Sequence, residues 1–143
     1  MPTTVVVPDT ADVLMLKYIV NQLGQDGGAA PAGGQRLVRL FTNNLTPGKS
    51  TVLADVTEST EAGYSAITLT GANWTVASSA GTNSAVYSAQ TFSYTTGVTV
   101  YGYYVTTTEG TPKLLWLERF SVSPFVLPSD GGEIVITPRF NLN

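Results

Sequence analysis

This 143-residue sequence predicts a mainly β fold: an antiparallel β-sandwich of jelly-roll or immunoglobulin-like type, with one N-terminal α-helix and an extended N-terminal arm. Three observations point that way. From Arg36 onward, β-branched and aromatic residues recur in short runs, and such residues fit the pleated, half-buried surface of a strand. Gly, Pro and Asn interrupt those runs every few residues, as turns require. One segment alone, residues 11–23, spaces its apolar side chains as a helix does.

In chain order, residues 3–7 lie between Pro2 and Pro8 and carry no charge. They read as a β-prone arm that needs a partner edge. Residues 11–23 follow as the helix. Asp9 or Thr10 is placed to cap it, Asp12 puts a negative charge in its first turn, and Gly24 suits the left-handed position after its end. Val13, Leu16, Val20 and Leu23 form one apolar stripe, widened by Tyr18 and Ile19, while Lys17 and Asn21 are expected to face water. Residues 25–35 hold four Gly, three Ala and one Pro, which leaves almost nothing to bury; they read as a flexible linker or loop. The chain thus divides into arm and helix (1–24), linker (25–35) and β-sandwich domain (36–143).

Within that domain, strands are expected near residues 36–41, 64–69, 74–77, 86–94, 98–107, 113–120 and 133–139. Thr95, Thr96 and Gly97 suit a tight hairpin, as do residues 109–112, so the strands on either side should form a meander. Residues 129–132, Ser-Asp-Gly-Gly, mark the last turn.

Composition narrows the chemistry. There is no His and no Cys, and 12% of residues are charged. The chain therefore lacks the usual neutral-pH base, the commonest metal ligand, and any thiolate or disulfide. The net charge is −3 and the seven basic residues are scattered, whereas nucleic-acid binding needs them clustered; no nucleic acid is expected. No apolar run is long enough for a membrane span, the N-terminus lacks a signal-peptide pattern, and no membrane association is expected.

Asp55, Glu58 and Glu61 are spaced as oxygen ligands for calcium could be, but the EF-hand pattern is absent and solvated loop acids are the simpler reading. Glu109 and Glu118 could be nominated as a glycosidase pair; the first sits in a turn, and the second suits a cross-strand ion pair. No Ser lies in a Gly-flanked elbow. No enzyme activity, cofactor or metal is expected. Trp74 reads as a core anchor. Tyr101 and Tyr103 are expected on one face of their strand, with Val98, Val100 and Tyr104 on the other, which leaves a possible sugar-stacking surface. Residues 114–120, LLWLERF, are apolar on both faces and suit a central strand or one covered by a neighbouring subunit.

Residues 37–69, LVRLFTNNLTPGKSTVLADVTESTEAGYSAITL, resemble small structural proteins of tailed bacteriophages: a strand ending in F-x-N-N, then T-P, an acidic T-E stretch, and G-Y before the next strand. YGYY at 101–104, LLWLERF at 114–120 and IVITP at 134–138 extend the likeness more loosely. The resemblance implies a virion component whose station on the particle varies. The reading it favours is a capsid decoration or cement protein, a homo-oligomer located on the virion that contacts copies of itself and other virion proteins, in the first place the major capsid protein. Val5, Val6 and Val7 are then the arm contacts, Leu16, Val20 and Leu23 dock the helix, and Phe125 in SPFVLP is an apolar anchor. A tail or head-fibre adaptor would use the same chemistry. The alternative of another class is a glycan- or receptor-binding module using Tyr101, Tyr103 and the loop containing Asp55, Glu58 and Glu61.

Overall fold

The computed structural model describes residues 8–22, 35–79, 82–108 and 110–142. Val5, Val6, Val7, Leu23 and Gly24, with the linker at 25–34, lie outside them. The described chain is one helix and eleven strands: α1 (Asp9–Ile19), β1 (Arg36–Phe41), β2 (Ile67–Leu69), β3 (Thr75–Ser79), β4 (Thr82–Val86), β5 (Gln90–Tyr94), β6 (Val98–Val100), β7 (Gly102–Thr107), β8 (Leu114–Arg119), β9 (Phe125–Leu127), β10 (Gly132–Ile136) and β11 (Arg139–Leu142). Every pairing is antiparallel. The strands form a four-stranded sheet in the order β2-β1-β7-β8, a three-stranded sheet β11-β4-β3, and the pairs β10-β5 and β6-β9.

There are more strands than expected because the long β-prone runs each serve two sheets. Residues 86–94 break after β4, where Tyr87 donates its N–H to Pro138 and its hydroxyl accepts from Thr70 N–H. The ring then packs edge-on against Trp74, 5.1 Å between centroids. Residues 98–107 break at Tyr101, whose N–H bonds Phe41 and whose carbonyl accepts from Phe120. Residues 133–139 break at Pro138, which has no N–H to give a ladder. β9 escapes the sequence pattern because it is three residues long between Pro124 and Pro128.

Thr95–Gly97 is not a hairpin. β5 pairs with β10 and β6 with β9, so residues 90–100 run antiparallel to 125–136 as one ribbon, interrupted where Thr95–Gly97 faces the turn before Gly132. That interruption is tight: a Cβ on Gly131, which has φ +83°, would strike the Tyr94 carbonyl. The expected meander is therefore replaced by a ribbon and one true hairpin, β7–β8. A second hairpin, β3–β4, contains TNSAV, a poor strand former on composition. Pairing on both sides and burial of Asn83 and Ala85 override that preference.

The helix starts two residues earlier than its periodicity suggests and ends four residues sooner. Pro8 occupies the N-cap with no side-chain capping bond; Asp9 and Thr10 lie within the helix. At the other end Asn21 takes the left-handed conformation, φ 59°, the role expected of Gly24. Lys17 and Asn21 are half-buried, and the exposed apolar side chains are Leu14 and Met15. Leu16 and Val20 are fully buried in this chain's own core, where α1 packs on β3, β4 and β11. Both ends of the helix are tied down. Arg36 Nε and Nη2 donate to the carbonyls of Ile19 (2.6 Å) and Tyr18 (3.3 Å), a cation at the negative pole. Asn83 donates to Asp12 near the start (3.2 Å).

Leu16 is thus a core residue holding the helix to the strands. Leu16→Ala should cost about 2–5 kcal/mol of unfolding free energy in a urea titration; a loss within experimental error would show that the helix is dispensable to the folded state.

Candidate functional site

The polar groups singled out in the sequence serve local structure. Asp55 accepts from Val52 N–H (2.9 Å), closing the 3₁₀ turn Leu53–Asp55. Glu58 accepts from the Tyr64 hydroxyl (3.0 Å) and pairs with Arg39 (3.5 Å). Glu61 accepts from Ser59 Oγ (2.5 Å) and Thr60 N–H (3.0 Å), and the Tyr94 hydroxyl donates to Ser59 Oγ in turn (2.9 Å). Each acid is bound to a different group. Among the described residues no three acidic side chains converge as a metal site. The Ser59 hydroxyl holds the Glu61 carboxyl below the ordinary carboxylate range, against a smaller opposing effect of burial. Burial pushes the phenols of Tyr64, Tyr94 and Tyr103 up, and that of Tyr104 to about 12, so these buried rings stay neutral.

Tyr101 and Tyr103 do not share an exposed face. Tyr103 is 3% exposed; its hydroxyl donates to Glu118 (2.7 Å) and accepts from Arg139 N–H (3.2 Å). Tyr101 sits in the break before β7, half-buried, with the Arg119 guanidinium 5.1 Å from its ring centre. Glu118 bonds a tyrosine rather than forming a cross-strand ion pair, and Glu109 lies outside the described residues. Trp74 is buried, in edge contact with Trp116 (5.8 Å), as a core anchor should be. β8 is not central, although its sequence is apolar on both faces. It ends its sheet.

What the fold leaves uncovered is apolar. Phe125 is 42% exposed, with Val122 at 80% and Val135 at 60%. These three line a shallow groove of about 210 Å³ with Phe120, Glu133 and Ile134. Val126, next to Phe125, is also exposed. The geometry has a simple origin. Pairing of β10 with β5 turns Ile134 and Ile136 inward, so Val135 between them must point out. Of these residues the sequence reading named only Phe125. The I-V-I run at 134–136 carried the signal for Val135, because three consecutive apolar residues in a strand cannot all face one core.

Two other surfaces are open. Val13 and Leu14 of α1 line an apolar groove of about 470 Å³ with Thr10 and Ser78. A third groove, about 510 Å³, runs between β8 (Leu114 to Leu117) and the loop from Pro47 to Thr51. Among the described residues no helix is long and apolar enough to cross a membrane. The sequence matches no protein-family model and no curated protein, and the fold matches no solved structure.

The Glu61 contacts predict an acid-sensitive loop. Its folded pKa lies below the ordinary 4.5, so its contribution to stability is complete above that value and disappears as pH falls through the lowered one. Thermal midpoints from pH 7 to pH 3 should fall at the acid end, less steeply in Glu61→Gln; superimposable profiles would remove Glu61 from the account.

Proposed function

We propose that this chain is a non-enzymatic virion structural protein, most concretely a capsid decoration or cement protein, working through repeated apolar contacts with copies of itself and with the major capsid protein. One observation carries the assembly part: Val122, Phe125 and Val135 stand exposed around one groove. Neighbouring apolar side chains left in water mark an interaction surface more often than solitary ones do, and rings such as Phe125 are typical anchors at the centre of interfaces. Assignment of that assembly to a phage particle rests on the likeness of residues 37–69 to tailed-phage structural proteins.

In this reading the body is a β-sandwich, with the β2-β1-β7-β8 sheet against the β11-β4-β3 sheet. Ring contacts from Trp116 to Trp74 and to Phe140 (5.1 Å), spanning the two sheets, support that arrangement. Such a body is rigid, and on a lattice many weak contacts act together through effective concentration. Burial of Tyr103 takes one of its two rings from the glycan-binding alternative.

The test pairs the parent chain with Phe125→Ser/Val135→Ser, whose changes lie on the surface. Sedimentation velocity should show the parent as an oligomer, and the parent should co-sediment with capsids of the phage that encodes it. The double variant should bind at least about tenfold more weakly, as expected when about 1.4 kcal/mol or more of apolar contact is lost. A parent that remains monomeric at all concentrations and stays in the supernatant would overturn the proposal.

A further inference from the structure

Resting on the assembly reading above, we infer that the outer edge of β8 receives residues 3–7 of a second copy of this chain as an added antiparallel or parallel strand. The edge is chemically ready. Phe120 N–H bonds Tyr101 across the hairpin, and Glu118 and Trp116 lie opposite Tyr103 and Val105. By the alternation of an antiparallel ladder, the peptide groups of Leu117 and Arg119 therefore point away from β7. Leu115 is the extra residue where the register shifts between Val105 and Thr106, and it too is unpaired by β7. β8 ends its sheet, so among the described residues no strand pairs along this side. The groove beside it has half-buried Leu115 and Leu117 on one wall and the loop from Pro47 to Thr51 on the other.

The occupant follows from the sequence and from reach. Residues 3–7, TTVVV, are uncharged and β-branched throughout, and Pro2 and Pro8 set the limits of the ladder because neither donates an N–H. In a strand, Val5 and Val7 share a face and extend the Leu115–Leu117 surface. Strand addition of this kind draws affinity from main-chain bonds and specificity from alternate side chains.

The arm of the same copy cannot take this place. Helix α1 runs from the Ser78 and Asn83 end of the β3–β4 hairpin, where Asp12 and Val13 lie, to Gly71 and Trp74, where Asn21 and Gln22 lie. β8 sits at the Trp74 end, through the Trp74–Trp116 contact. At 1.5 Å per residue, Pro8 is about 20 Å from that end. One peptide joins Val7 to Pro8, so pairing of residues 3–7 along β8 calls for another molecule.

The absence of cysteine from the chain makes the test direct. Val6→Cys and Lys49→Cys, the latter on the exposed loop of the groove, are made as single variants, mixed and treated with a short bifunctional maleimide. The V6C–K49C heterodimer should exceed the V6C–T96C control product at least about tenfold. Val6→Pro, which removes an arm N–H, should lower the light-scattering mass of the full chain. Three results would overturn the inference. A V6C/K49C double variant that cross-links only within one chain would assign the groove to its own arm. An oligomer that yields no cross-link and ignores Val6→Pro, yet dissociates in Phe125→Ser/Val135→Ser, would discard the arm-to-edge contact and leave the assembly reading standing. A monomeric parent with no cross-link would discard the arm-to-edge contact, and one that also stays in the supernatant with capsids would discard both.

Discussion

The structure depends on one strand buried on both sides. β7 hydrogen-bonds to β1 along one edge and to β8 along the other, and Gly102 to Thr106 are all buried. Such a strand must satisfy most of the polar atoms it takes out of water, and on β7 the Thr106 hydroxyl is the exception, buried without a hydrogen-bond partner. Its tyrosines show how. Tyr103 finds Glu118 and Arg139 on one face, while Tyr104, on the other, is desolvated beside Glu58 and Arg39 and stays protonated, its pKa pushed up to about 12. At the start of the strand a Cβ on Gly102 would strike the Glu118 carbonyl and lie 2.7 Å from the Phe41 ring. This position therefore admits no side chain, and β1, β7 and β8 come together around it.

How much of this was legible in the sequence varies element by element for physical reasons. β1 appears where the Arg36 to Phe41 run placed it, because a short β-branched and apolar segment between a Gly-rich linker and Asn43–Asn44 has few alternatives. The runs at 86–94, 98–107 and 133–139 were legible as β but not as pairs of strands. Periodicity reports which side chains face inward and is silent on which sheet the backbone joins. Tyr101 illustrates the gap: one residue of irregular backbone hands the chain from β6 to β7, and its neighbours are equally β-prone on either side. TNSAV in β4 escaped for the opposite reason, since its strand character comes from β3 and β11 beside it rather than from its own residues.

The same distinction explains the candidate surfaces. Leu16 and Val20 carry the helical stripe correctly, yet a stripe does not say whether its partner is the chain's own sheet or a neighbour's; here it is the chain's own. Arg36 decides the matter structurally. It donates to the last carbonyls of α1 and fixes the helix against the strands. The helix face left over is Leu14 and Met15, and the strand face left over is Val122, Phe125 and Val135.

The two ends of β8 are treated differently, and the contrast bears on what the edge is for. Exposed edges are commonly blunted with charge, Pro or a covering loop. At the C-terminal end Arg119 does this: its guanidinium donates to the Leu45 carbonyl (2.8 Å) and lies over Tyr101. From Leu114 to Leu117 no charge or Pro stands in the strand, and the facing loop leaves a groove open. An edge that is guarded at one end and apolar along the rest is poorly protected against a strand of matching length, and well shaped to accept one that is short, uncharged and limited by proline at both ends.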